Sequence, residues 1–381
     1  MLQLGRSRLG SRGRERSSCE LCGQEPVAWQ LGVCARCLRE ERPGARERAL
    51  AAHEQLRREW GLPGQPPRSK KGIPCRLCAN ACVLGEGEVG YCGLRLARGG
   101  QLLSLGGTAR RGLLHWYRDP LPTNCVAMWA CGAQGLQGHN LAVFYGACSL
   151  NCLNCQNWHF RDLLPSQAER AAARAEQPPA AWSVRGRWVS AWELAACAEA
   201  RTRCVCFFGG DPAVQMAHAL LVGKLLARQG VRICWETNGL AHPKLMAKAV
   251  ELSLRSGGTV KFDLKAWHEP IHVALTGRPN QRTLQNFAAA ARRAPERPWP
   301  PLVVASTLLV PWYVDEIEVA PLAAFVAQFG SDIPYALLAF APAFALADLP
   351  CTTREHAERA LRAVRSAGLK NVRLGNEHLL S

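Results

Sequence analysis

The sequence predicts an α/β fold: a partial parallel barrel of (β/α)6 type, preceded by small cysteine-rich metal-binding segments. Three observations predict it. Beyond residue 140, short apolar, β-rich runs alternate with stretches of helical composition, the texture of a parallel sheet with helices outside it. Before that point, cysteines come in closely spaced groups instead. With 381 residues and 48% hydrophobic content, the chain can bury one large core and carry one or two small appendages.

Eighteen cysteines would suggest disulfides in a secreted protein. There is no signal-peptide apolar region, however, and no run of about 18 apolar residues, so a membrane span is not expected. A reducing, cytoplasmic setting in which thiols serve metals fits better. The Arg- and Ser-rich opening MLQLGRSRLGSRGRERSS would also suit a cleaved transit peptide, but Cys19 and Cys22 follow at once. Residues 1 to 120 carry 21 Lys/Arg against 11 Asp/Glu, part of a net charge of +17. Such an excess bears on solubility and association. No aromatic-basic motif accompanies it, so specific nucleic-acid binding is not expected.

Four segments follow in order: 1–44, 45–72, 73–139 and 140–381. The first is a basic tail with two CxxC pairs, Cys19/Cys22 and Cys34/Cys37, whose four thiolates suit a structural zinc. The second pairs a helical stretch, ARERALAAHEQLRREWG, with a Pro/Gly-rich linker, LPGQPPRSKKG. In the third, Cys75, Cys78, Cys82 and Cys92 are joined by turns at Gly85, Gly87 and Gly90, and zinc or an iron-sulfur cluster would both fit. Cys125 and Cys131 read either as buried thiols or as ligands near the main site. In the fourth, NLAVFYG, CVCFFGG, VRICWETNG, TVKFDLKA, PLVVASTLLVP, IPYALLAFAP and NVRLG are the strands, with helices at 213–229, 242–256 and 315–329. Residues 164–188, rich in Ala, Arg and Pro, read as an excursion with a helix.

Parallel barrels collect their chemistry at the loops after strand ends. The first such loop is GACSLNCLNCQNW, with Cys148, Cys152 and Cys155 at x3 and x2 spacing, one thiol short of a closed tetrahedral site. The next strands end in GGDP (Gly209, Gly210, Asp211, Pro212), ETNG (Glu236, Thr237, Asn238) and DLK (Asp263, Lys265). Glycine, amide, carboxylate and ammonium groups at four successive strand ends can converge on one ligand. Asp211 and Pro212 also suit the start of a helix, where an acid and a proline are favoured.

These motifs resemble the radical S-adenosylmethionine (radical SAM) superfamily, whose signature is CxxxCxxC. The resemblance is nearest to the pyruvate formate-lyase activating enzyme group and the AmmeMemoRadiSam-type proteins, through CQNW, ETNG, KFDLKA, HVALTGRPN and LKNVRLGNEHLL. It implies that Cys148, Cys152 and Cys155 bind three irons of a 4Fe-4S cluster, with SAM on the fourth. Reductive cleavage of SAM then gives a 5'-deoxyadenosyl radical that abstracts hydrogen. By the same resemblance Gly209, Gly210 and Asp211, with Pro212, lie by the SAM amino group. Glu236, Thr237 and Asp263 hold a monovalent cation beside its carboxylate, with Asn238 in the same cofactor-binding set, and Lys265 contacts that carboxylate.

Two positions depart from the family pattern. Asn154 replaces the usual aromatic residue before the third cysteine, with Phe160 as a substitute ring, and Trp312 stands where a glycine is usual. The implied partners are SAM, an external electron donor and an unidentified substrate, which a glycyl-radical activase would find in a partner protein. A zinc-ribbon protein that binds RNA or protein without catalysis is the competing class.

Overall fold

The computed structural model describes residues 17–381 except 124, 167, 169 and 171–186. The basic tail before residue 17 and most of the 164–188 excursion therefore lie outside the described residues. Three antiparallel ladders come first: β1 (Ser17–Ser18) with β2 (Pro26–Val27), β3 (Ile73–Pro74) with β4 (Val83–Leu84), and β5 (Arg95–Arg98) with β6 (Gln101–Ser104). The main sheet then comprises β7 (Gly112–Pro120), β8 (His139–Tyr145), β9 (Arg187–Val189), β10 (Thr202–Gly209), β11 (Arg232–Thr237), β12 (Val260–Asp263), β13 (Val303–Leu309), β14 (Tyr335–Ala339) and β15 (Val372–Gly375).

Its order is β15-β14-β13-β12-β11-β10-β8-β7-β9. The seven strands from β8 and β10 to β15 run parallel and strictly in chain order. Each predicted run after residue 140 forms one of them. Right-handed crossovers that always step the same way put every helix on one face. The other face becomes an interior. Period-2 alternation then sorts the side chains. Phe207 and Trp235 meet at 4.6 Å with tilted rings and Phe262 meets Phe287 of the helix Gln281–Ala291 at 5.5 Å, whereas Cys204, Cys206, Cys234, Glu236 and Lys261 line a common cavity. The long antiparallel β7 was not foreseen; with β9 it extends the sheet beyond β8.

The predicted helices appear as Met216–Arg228, Pro243–Ser256 and Glu316–Ala327. Earlier in the chain, the helix Ala45–Glu59 does not act as a spacer. It buries Ala49, His53, Leu56 and Arg57, and one continuous core joins Cys19, Cys37 and Leu56 to Leu275 and Val319. Ala28 N–H donates to the Tyr313 hydroxyl at 3.0 Å, and Arg39 pairs with the buried Glu318 at 2.8 Å. The cysteine-rich start is thus fastened to the same body that carries the parallel sheet.

Candidate active site

Cys148, Cys152 and Cys155 sit on the loop that leaves β8, each half-buried. The loop is held from several sides. Asn151 and Leu153 N–H groups donate to Thr276 and Leu275 carbonyls at 2.9 Å, at the end of the helix Glu269–Thr276. Asn80 Nδ2 donates to Ser149 O at 2.8 Å, and the Asn151 amide meets His53 Nδ1 at 3.1 Å. Leu150 N and Asn238 Nδ2 approach Cys148 Sγ at 3.4 and 3.6 Å, donors suited to a thiolate. Burial and then Asp211 push the Cys148 thiol well up, and burial raises Cys152 to about 11 against the pull of Lys265. Metal binding would take up that cost by replacing the protons.

The strand-end motifs do converge. Gly209 has φ +97°, and a Cβ on Gly210 would overlap the Ala147 carbonyl beside Cys148. The glycines are therefore required first by the close approach of β10 to the cysteine loop. Asp211 is buried, accepts from Ala213 N at 2.7 Å as a helix cap, and clasps Asn238 N at 2.8 Å and Thr237 Oγ1 at 3.1 Å with its other oxygen. Its helix-starting role is thus realised, with Pro212 at the first turn. Burial raises its carboxyl to about 6.

Glu236 and Asp263 face one another across a group that sequence reasoning missed. Lys261 Nζ lies 2.8 Å from Glu236 and 3.0 Å from Asp263, so an ammonium stands between these carboxylates, where the resemblance implies a monovalent cation. Thr237 turns away to Asp211. Lys265 Nζ is 3.4 Å from Asp263, and the charges of Asp263 and Cys152 hold it protonated despite its burial. Burial opposes ionisation of Asp263, but the two lysines keep its carboxyl well below the ordinary range. The alternation in TVKFDLKA carried the signal for Lys261, since it puts residues 261 and 263 on one face.

Among the described residues, two groups bring three or more metal-ligating atoms within 4.8 Å of one another: Cys19, Cys22, Cys34 and Cys37, and the unforeseen set Cys125, Cys206 and Glu236. Cys148, Cys152 and Cys155 are in neither set. Cys75, Cys78, Cys82 and Cys92 line a common pocket with Asn80 and Arg95. Phe160 lies against the Arg161 guanidinium, while Trp158 stacks on Phe344 at 5.7 Å. Trp312 has φ +69°, a conformation that favours glycine, so the backbone keeps the shape of the family's usual residue.

Residues 142–319 match the family model described as the Radical SAM superfamily. The chain is 30% identical over 134 residues to the isethionate sulfite-lyase activating enzyme of Desulfovibrio desulfuricans, covering 35% of this chain and 40% of that one. It is 23% identical over 331 residues to an uncharacterized protein of Methanocaldococcus jannaschii, covering 80% and 81%. A domain of a pyruvate-formate lyase-activating enzyme from Bacteroides vulgatus aligns with a TM-score of 0.35 at 18% identity, over 46% of this chain and 99% of that one. Streptococcus suis SuiB bound to S-adenosylmethionine aligns with 0.43 at 12%, over 61% and 49%. The chain thus spans about 40% of the length of the activating enzyme it matches.

Proposed function

The chain carries a radical SAM superfamily domain over residues 142–319, and from that premise we propose that it is an enzyme that reductively cleaves SAM and abstracts hydrogen from a substrate. The fold reading goes with it: seven parallel strands in chain order support a partial (β/α)6 barrel. The observation that carries the proposal is the presentation of Cys148, Cys152 and Cys155, each half-buried, on one loop braced through Asn151, Leu153 and Ser149. A 4Fe-4S cluster held there, with SAM on its open iron, would supply the electron that breaks the sulfonium bond. Asn238 and the Leu150 N–H steady the Cys148 sulfur. Lys265 offers an ammonium to the SAM carboxylate, and Lys261 makes a separate cation between Glu236 and Asp263 unnecessary. Structural zinc at Cys19–Cys37 belongs to the same proposal.

The test is anaerobic reconstitution with iron and sulfide, reduction with dithionite, and measurement of 5'-deoxyadenosine and methionine. Wild-type chain should form both, and Cys148→Ala, Cys152→Ala or Cys155→Ala should abolish them; product from any of the three sinks the assignment. Similarity to an activating enzyme favours a second reading, in which the substrate is a glycine of a partner protein. A glycyl-radical signal in such a partner after incubation would establish it. A colourless protein that carries zinc alone would instead support the binding-protein class.

A further inference from the structure

The interior of the sheet holds a site that the radical chemistry does not use. Cys206 on β10, Glu236 on β11 and Cys125 on the segment that covers this end of the interior bring their ligand atoms within 4.8 Å of one another. Cys125 Sγ is 3.2 Å from Glu236 Oε1. They border a cavity that Cys131, Cys204, Cys234, Asn140 and Lys261 also line. Barrel interiors are ordinarily filled by bulky branched side chains. Five thiols and a carboxylate around open space are a poor way to fill one. Two of the other thiols already have partners, Cys204 on Asn140 Oδ1 at 3.4 Å and Cys131 on Met128 O at 3.8 Å. Cys125 meets instead the Glu236 oxygen that Lys261 leaves free, since the ammonium takes the other oxygen, and Cys206 offers its sulfur within 4.8 Å of both.

We propose that Cys125, Cys206 and Glu236 form a three-ligand zinc site whose fourth position opens into this cavity, for water or a donor atom of the substrate. Two thiolates and one carboxylate with an open place are the ligand chemistry of a catalytic rather than a structural zinc, and the soft sulfurs favour zinc over magnesium or calcium. Charge balances: binding one divalent ion releases two thiol protons, so the net charge of the buried group is unchanged. Lys261 neutralises Glu236 on one side and touches Asp263 on the other, and Asp263 leads through Lys265 toward Cys152. The ion would therefore sit in the same interior as the radical site, at the far end of one continuous row of charges. That placement suits holding a substrate group while another part of the molecule meets the radical.

The experiment is a zinc and iron count on the full chain purified without air, with zinc X-ray absorption, and it does not depend on SAM cleavage. Wild type should carry one zinc more than Cys125→Ser and one more than Cys206→Ser, with iron unchanged in both. In zinc X-ray absorption, the signal of wild type less that of Cys125→Ser should show two sulfur and two lighter ligands. Cys125→Ser, on the covering segment, guards against misfolding of the strand variant. Zinc content equal to wild type in both single variants, or a Cys125–Cys206 disulfide found by mass spectrometry in the freshly purified chain, overturns the proposal. Loss of SAM cleavage with the zinc count intact would leave this site standing and refute only the radical assignment.

Discussion

The two four-cysteine groups before the parallel strands have the same ligand count and the same residue type, yet the structure builds them differently. In the first, Cys19 and Cys37 sulfurs are 3.8 Å apart, as are those of Cys22 and Cys34. Four sulfurs at about 2.3 Å from one tetrahedral zinc would be about 3.8 Å from each other, so this group is sized for a single ion. In the second, Cys75, Cys78, Cys82 and Cys92 line a common pocket, and among the described residues they are not one of the sets that close within 4.8 Å. Asn80 Oδ1, in the wall of that cavity, is buried without a partner. A space of this kind, ringed by thiols, suits a cluster whose corners each take one sulfur. Ligand spacing in the chain does not separate the two cases; the separation of the sulfurs does.

Metal counting on cysteine variants makes the largest test of that difference. Cys19→Ser or Cys37→Ser should remove one zinc and leave iron in place, whereas Cys78→Ser or Cys92→Ser should remove iron and leave that zinc. Because a structural zinc site contributes on the order of 10 kcal/mol or more of binding energy to folding, the first pair should also unfold at much lower temperature. If both pairs lose only zinc, the contrast in size has no chemical meaning.

The groups also differ in what they touch. Arg39, two residues beyond the last cysteine of the first group, bonds Glu318, which in turn accepts the Trp267 and His268 N–H groups at 2.9 Å. Removing one member of a buried ion pair costs about 3 kcal/mol or more, so Arg39→Met should lower stability by that order in a denaturant titration while zinc stays bound. Asn80, inside the second group, bonds Ser149 next to Cys148. Asn80→Ala leaves a buried carbonyl unpaired, at about 1–3 kcal/mol, and should alter the electron paramagnetic resonance spectrum of the reduced Cys148–Cys155 cluster, which Arg39→Met should not. Equal spectra in the two variants would remove the distinction.

Much of this was legible in the chain because parallel strands advertise themselves. VRICWETNG and TVKFDLKA are short, β-rich and bounded by turn residues, and the structure makes them β11 and β12, with Glu236, Thr237, Asp263 and Lys265 at or just past their ends. The interior was not read, although RCVCFF and ICWE carry Cys204/Cys206 and Cys234/Glu236 two apart. A period of two says which residues share a face but not which strand lies beside it. Only the strand order brings Cys206 next to Glu236, and only the covering segment brings Cys125 to both. The helix Ala45–Glu59 was legible as a helix, but its packing was not, for a related reason. Its composition is that of an exposed helix, and its buried face rests on His53 and Arg57, polar residues whose partners lie far along the chain.

His53 gives the gentlest test, because it links the helix between the two cysteine groups to the radical loop. Its Nε2 lies 2.9 Å from the Ala274 carbonyl and its Nδ1 3.1 Å from the Asn151 amide nitrogen. A carbonyl needs an N–H and an amide N–H needs a lone pair, so both partners fit the neutral ring with its proton on Nε2. Burial lowers its pKa to about 4. With an unfolded value of about 6.5, the unfolded chain takes up the proton first as pH falls. The stability tied to neutral His53 is therefore complete above about pH 6.5 and lost as pH falls toward 4, amounting to about 1 kcal/mol by pH 6 and about 2 kcal/mol by pH 5. His218 and His272, also lowered to about 4 by burial, add slopes of the same sign. His53→Gln keeps a polar group in place but cannot take up the proton, so its denaturation midpoint should fall less steeply between pH 6.5 and 5 than that of wild type. Parallel midpoints for the two chains over that range would mean that His53 takes up its proton equally in the folded and unfolded chain, and that the link from this helix to Asn151 is not the one described.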